Sequence, residues 1–104
     1  MANFHQLQVF HAVAIHGSFS KAAVALSISQ PAVSIQVRGL EDAIGSPLLH
    51  RTRRGPILTD IGATMFNYTR RIFALADEMD EAVREVINVI DTESERDSPR
   101  DFDL

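Results

Sequence analysis

Cysteine is absent from the 104 residues. That excludes a disulfide framework, a thiolate metal site and a cysteine nucleophile, and it suits a reducing compartment. Also missing is any apolar run near the roughly 20 residues needed to span a bilayer. The first residues, Met1 to Gln8, have neither the basic nor the apolar segment of a secretory leader. A protein of the cytoplasm with no membrane partner is the expectation. Internal repeats are lacking too. His5, His11, His16 and His50 include no pair at the i, i+4 spacing that puts two imidazoles on one helix face. No metal or other cofactor is expected, and no order of serine, histidine and acid suggests an enzyme.

What is present is one domain's worth of chain, 45% hydrophobic and 23% charged, long enough for a single modest core. The net charge of −4 argues in aggregate against a polyanionic partner. Its distribution argues otherwise, because binding depends on where charge sits. Residues 1–58 carry Lys21, Arg38, Arg51, Arg53 and Arg54 against Glu41 and Asp42, a balance of +3. Residues 59–104 hold five arginines against twelve acids, a balance of −7. One end is therefore suited to phosphates and the other is not.

Asn3 and Gln6 have capping-box spacing, and Leu7, Phe10, Val13 and Ala14 follow at helical intervals, which predicts a first helix over residues 4–16. Gly17 stops it. Ser18 caps a short second helix with Ala22, Ala23 and Leu26 inward and Phe19 beside them. The turn Ser27-Ile28-Ser29 leads to a third helix with Pro31 in its first turn and a core stripe of Val33, Val37, Leu40 and Ile44, ended by Gly45. Two short helices around a tight turn are the elements of a helix-turn-helix. Residues 47–52 and 56–58 flank Arg53-Arg54-Gly55, which reads as a small hairpin wing with Pro56 at an edge.

Thr59 caps a fourth helix with Asp60 in its first turn. Ile61, Met65, Tyr68, Ile72, Leu75, Met79, Ala82, Val86 and Val89 then alternate in steps of 4 and 3, with Phe66, Phe73, Val83, Ile87 and Ile90 widening the stripe. Such a seam runs for about 30 residues, or about 45 Å of helix. It outruns a three-helix core, and a second copy of the chain is the cheapest cover. The pairing residues expected are Ile61, Met65, Tyr68, Ile72, Leu75, Met79, Val83 and Val86. The organisation expected is mainly α: a winged helix-turn-helix over residues 1–58, a linker and dimerisation helix over 59–91, and an acidic, disordered tail over 92–104.

An ordered series of fragments marks a family. It runs through Phe10-His11-Ala12-Val13-Ala14, Gly17-Ser18-Phe19-Ser20-Lys21-Ala22-Ala23, Leu26 and Ser29-Gln30-Pro31-Ala32-Val33-Ser34. Gln36, Arg38, Leu40-Glu41, Ile44-Gly45, Pro47-Leu48-Leu49, Arg51, Arg54, Leu58-Thr59 and Gly62 continue it. Over residues 4–66 the chain resembles the N-terminal DNA-binding domain of LysR-type transcriptional regulators. The resemblance implies a bacterial regulator that pairs through its linker helix on promoter DNA, with RNA polymerase as a further candidate partner. Members usually continue into a two-lobed effector-binding domain. This sequence stops at Leu104, as a truncation or as a naturally short relative, so no effector is assigned.

A helix in a major groove reads base edges with its N-terminal residues while its neighbours hold phosphates. Opposite the core stripe of the third helix lie Pro31, Ser34, Ile35 and Arg38. Gln30 and Ser34 are expected at base edges, with Gln30 suited to adenine, and Ile35 on a thymine methyl. Ile35 stands where the family is often polar or basic, and Gly39 gives up a possible phosphate contact. Arg38, Arg51, Arg53 and Arg54 are candidates for phosphates or a narrow minor groove. Ser18, Ser20, Lys21 and Ser29, near helix starts, are candidates for phosphates. The function expected is a sequence-specific regulator binding as a dimer to an inverted repeat near a promoter. A winged protein-interaction module, or a dimeric adaptor with a recruiting acidic tail, stays open beside it.

Overall fold

The computed structural model describes residues 2–97. Asn3 opens α1 (Phe4–His16) by accepting the Gln6 N–H at 2.7 Å, while the Gln6 side chain accepts the Asn3 N–H at 3.2 Å. This reciprocal box satisfies donors that a helix start leaves unpaired. Ser18 and Ser29 cap α2 (Phe19–Leu26) and α3 (Gln30–Ile44) by accepting the N–H groups of Lys21 and Ala32. Gly17 and Gly45 close α1 and α3 in the left-handed region. Ser27 closes α2 there too, at φ 59°, and the Ile28 N–H bonds back to the Ala23 carbonyl at 3.1 Å.

Strands β1 (Leu49–Thr52) and β2 (Gly55–Leu58) pair antiparallel, with Leu49 opposite Leu58 and Thr52 opposite Gly55. Pro56 faces Arg51 in this two-stranded ribbon, where every strand is an edge and a missing donor is tolerated. Finally α4 spans Asp60–Asp97. It continues through residues 92–97, which the sequence reading assigns to a disordered tail, and residues 98–104 of that tail lie outside the described residues.

The core joins Val9, Phe10 and Val13 of α1, Phe19, Ala22 and Ala23 of α2, and Val33, Val37 and Leu40 of α3 with Leu48 and Leu49. Each large side chain buried this way contributes about 1.5 to 3 kcal/mol. The stripe on α1 is wider than the sequence suggests: Val9 is fully buried, because α1 packs against both α2 and α3. Ile44, expected in the core, is 40% exposed at the last residue of its helix. Met65 and Phe66 pack against this core from α4. Residues 1–71 form one compact unit, and a second begins at Ile72.

Three polar or steric fittings fix the region around the wing. The Glu41 carboxylate, on α3, accepts the N–H groups of Leu48 and Leu49 at 2.8 and 3.3 Å. Thr59 accepts the Gly62 N–H at 2.9 Å, capping α4, and donates its hydroxyl to the Pro47 carbonyl at 2.8 Å. Gly62 lies so close to the Leu48 carbonyl that a Cβ there would overlap it.

Candidate nucleic-acid interface

At the N-terminal end of α3, Gln30, Pro31, Ile35 and Arg38 are exposed and Ser34 is half-buried. This is the side opposite Val33, Val37 and Leu40, which the core holds. Ile35 is 68% exposed. A single exposed hydrocarbon is common on protein surfaces, so its place on this side of α3, and not its exposure, makes it a candidate.

Beside that end runs a concave surface between the α1–α2 turn and the wing. Ser18, Ser20, Lys21, Gln30, Arg51, Arg53 and Arg54 are among its lining residues, and no carboxylate is. The structure thus brings together most of the phosphate candidates that the sequence scatters over three elements. Arg38, by contrast, lines a second concavity together with Glu41 and Asp42. Ser18 and Ser29 have their hydroxyl oxygens engaged as helix caps, and Ser18 also bonds the Ser20 hydroxyl at 3.0 Å. Both build the site's frame, and Ser18 lines it as well.

The wing tip is tied. Thr52 donates its hydroxyl to the Gly55 carbonyl at 2.7 Å and accepts the Arg54 N–H at 3.1 Å. The side chains of Arg53 and Arg54 remain exposed. That arrangement offers two guanidinium groups on a short, internally bonded loop. Arg51 differs from them, because its guanidinium lies 4.2 Å from the centroid of the Phe19 ring.

On α4, Ile61, Tyr68, Ile72, Leu75, Met79, Val83 and Val86 are all exposed, while Met65 is half-buried against the chain's own core. The sequence reading puts Met65 in the pairing seam with the other seven. Among the described residues, no group of three or more His, Cys, Asp or Glu is placed to hold a metal, and no helix is long and apolar enough to cross a membrane.

One polar contact has no counterpart in the sequence reading. Thr69 of α4 is fully buried; its hydroxyl donates to the Phe66 carbonyl at 3.1 Å and meets His11 Nδ1 at 2.8 Å. Which of the two donates in the His11–Thr69 contact depends on the tautomer of the imidazole. Burial, and then the Arg70 charge, hold the His11 pKa below its ordinary 6.5. The partners are 58 residues apart in the chain, beyond any local spacing rule.

The family model for bacterial regulatory helix-turn-helix proteins of the lysR family matches residues 4–63. The chain belongs to that family. Among its LysR relatives, a RuBisCO operon transcriptional regulator from Allochromatium vinosum is 45% identical over 87 residues, which cover 84% of this chain and 29% of the relative. A probable RuBisCO transcriptional regulator from Cyanidioschyzon merolae is 44% identical over 81 residues, 78% of this chain and 27% of the relative. The chain therefore spans less than a third of these curated relatives' length. Two solved LysR-type structures match at nearly full length. The DNA-binding domain of CbnR in complex with DNA gives a TM-score of 0.70 at 38% identity, covering 82% of this chain and 98% of that one. The DNA-binding domain of BenM on catB site 1 DNA gives 0.75 at 32% identity, covering 82% and 96%. The four helices and two-strand hairpin are accordingly the winged helix-turn-helix with long C-terminal helix of LysR regulators.

Proposed function

We propose that this chain is the double-stranded-DNA-reading part of a transcriptional regulator, acting as a homodimer on an inverted-repeat operator near a promoter. The observation that carries the proposal is the exposed N-terminal side of α3 beside a groove lined by Lys21, Arg51, Arg53 and Arg54 and by no acid. The family membership and the DNA complexes of its relatives support it.

In this reading α3 enters the major groove. Gln30 and Ser34 bond base edges, and Ile35 packs on a thymine methyl. Lys21 and Arg38 hold phosphates with Ser18, Ser20, Ser29 and Pro31 framing them, and the wing-tip arginines, Arg53 and Arg54, lie along the neighbouring backbone or in its minor groove. Two chains pair through Ile61, Met65, Tyr68, Ile72, Leu75, Met79, Val83 and Val86, which sets the distance between half-sites. The chemistry is recognition and not catalysis, its place is the cytoplasm, and RNA polymerase is a further partner at the promoter.

Selection of bound duplexes from a random library tests this directly. Enrichment of a two-fold-symmetric sequence is expected, and on that sequence Gln30→Ala should cost about 1 to 3 kcal/mol while leaving non-specific binding unchanged. A library that yields no enriched sequence would instead favour a winged protein-interaction module.

A further inference from the structure

Arg51 stands apart from the other arginines of the groove. It sits on β1, and its guanidinium is stacked 4.2 Å from the centroid of Phe19. Phe19 is only 8% exposed and belongs to the core, so its ring is a fixed platform and not a passing contact. The neighbouring strand meets the same turn. Gly55, first in β2, has φ 112°, and a Cβ built on it would lie 3.0 Å from the Gly17 carbonyl oxygen. Both strands of the hairpin thus bear on the segment 17–19: β1 through Arg51 on Phe19, and β2 through Gly55 against Gly17.

A two-stranded hairpin is marginal by itself and takes its position from whatever it packs on. The apolar residues at the base of this one, Leu49 and Leu58, are half or more buried, while Arg51 to Arg54 are exposed. Near the tip, the aromatic stack is a side-chain contact that spans the two elements. A planar guanidinium on a ring face is attracted by the ring quadrupole, which an aliphatic chain of similar length lacks.

We propose that the Phe19–Arg51 stack is a positioning contact that seats the wing against the α1–α2 turn and thereby presents Arg53 and Arg54. Arg51 acts through those two arginines and makes no phosphate contact of its own. The inference rests on the DNA-binding reading above and deepens it.

The test is a set of mutant cycles on the full chain with an enriched duplex, alongside amide exchange of residues 50–58 without DNA. Phe19→Leu and Arg51→Met should each weaken binding about two- to fivefold, the range a partly exposed cation–π contact supports, and the double variant no more than the worse single one. With Arg53→Ala and Arg54→Ala already in place, Arg51→Met should change neither affinity nor its salt slope. Without DNA, Arg51→Met should speed exchange across the wing and leave α1 amides unaffected. Additive losses, or a salt slope that drops with Arg51→Met in the tip-less background, would make Arg51 a phosphate contact and overturn the proposal. So would wing exchange that Arg51→Met leaves unchanged. If Phe19→Leu does not fold, the tip-less background and the wing exchange decide alone. Failure of the wild-type chain to select any duplex would count against the DNA-binding reading, while the exchange data would still decide the stack.

Discussion

The first 71 residues and the helix beyond them use the same apolar vocabulary to different ends. In the first unit, apolar side chains at helical spacing on α1 and α3 meet each other, and Phe10, Val33, Val37 and Leu40 are lost from solvent. In the second, an equally regular series from Leu75 to Ile90 stays about half exposed or more, with Leu75 at 64%. Periodicity states which side of a helix is apolar and leaves open what covers it. Where the cover is within the chain, the energy is folding energy; where it is a second copy, the energy is association energy and depends on concentration.

The sharpest way to break this contrast is to substitute one residue in each region. Leu40→Ala opens a cavity in a closed core and should cost about 2 to 5 kcal/mol of folding stability, read from urea unfolding. The proposed seam predicts a different readout for Leu75→Glu. There the loss, about 1.5 to 3 kcal/mol, should fall on self-association measured by sedimentation, with the circular dichroism of the first unit unchanged. Equal loss of monomer folding from both variants would erase the distinction. The smallest effect concerns His11, which fastens α1 to the near end of α4 within the first unit. Its lowered pKa favours the neutral ring in the folded chain, so the stability involved is complete above pH 6.5 and declines as pH falls from 6.5 through the lowered value. Melting temperature followed over that interval should fall more steeply for the wild type than for His11→Gln. Parallel curves would remove His11 from the account.

Much of this is legible before any coordinates. The three caps at Asn3, Ser18 and Ser29 and the stops at Gly17 and Gly45 are local devices, so local sequence states them. The hairpin was readable because Arg-Arg-Gly interrupts apolar residues at turn spacing. What local sequence does not carry is which element comes to lie beside which. Val9 is buried only because α1 has helices on two sides, and Ile44 is exposed because the stripe outlasts its neighbour. The groove residues could be named singly, but that Arg51 leans on Phe19 while Arg53 and Arg54 stay in the open follows from the hairpin's docking. Glu41 falls within a recognisable motif, yet nothing in its spacing says that its carboxylate faces backwards into the main chain of residues 48 and 49.

That carboxylate ties the far end of the third helix to the root of the hairpin, gripping two consecutive main-chain donors with one rigid group. A side chain with a single contact could swing; one holding two neighbours in a row resists rotation as well as stretching. In the DNA-binding reading proposed above, helix and hairpin so joined would meet a duplex together, which would have to present its two grooves at their spacing. On that reading, discrimination would extend to sequences that differ in how readily they bend or narrow, including base pairs no side chain reaches.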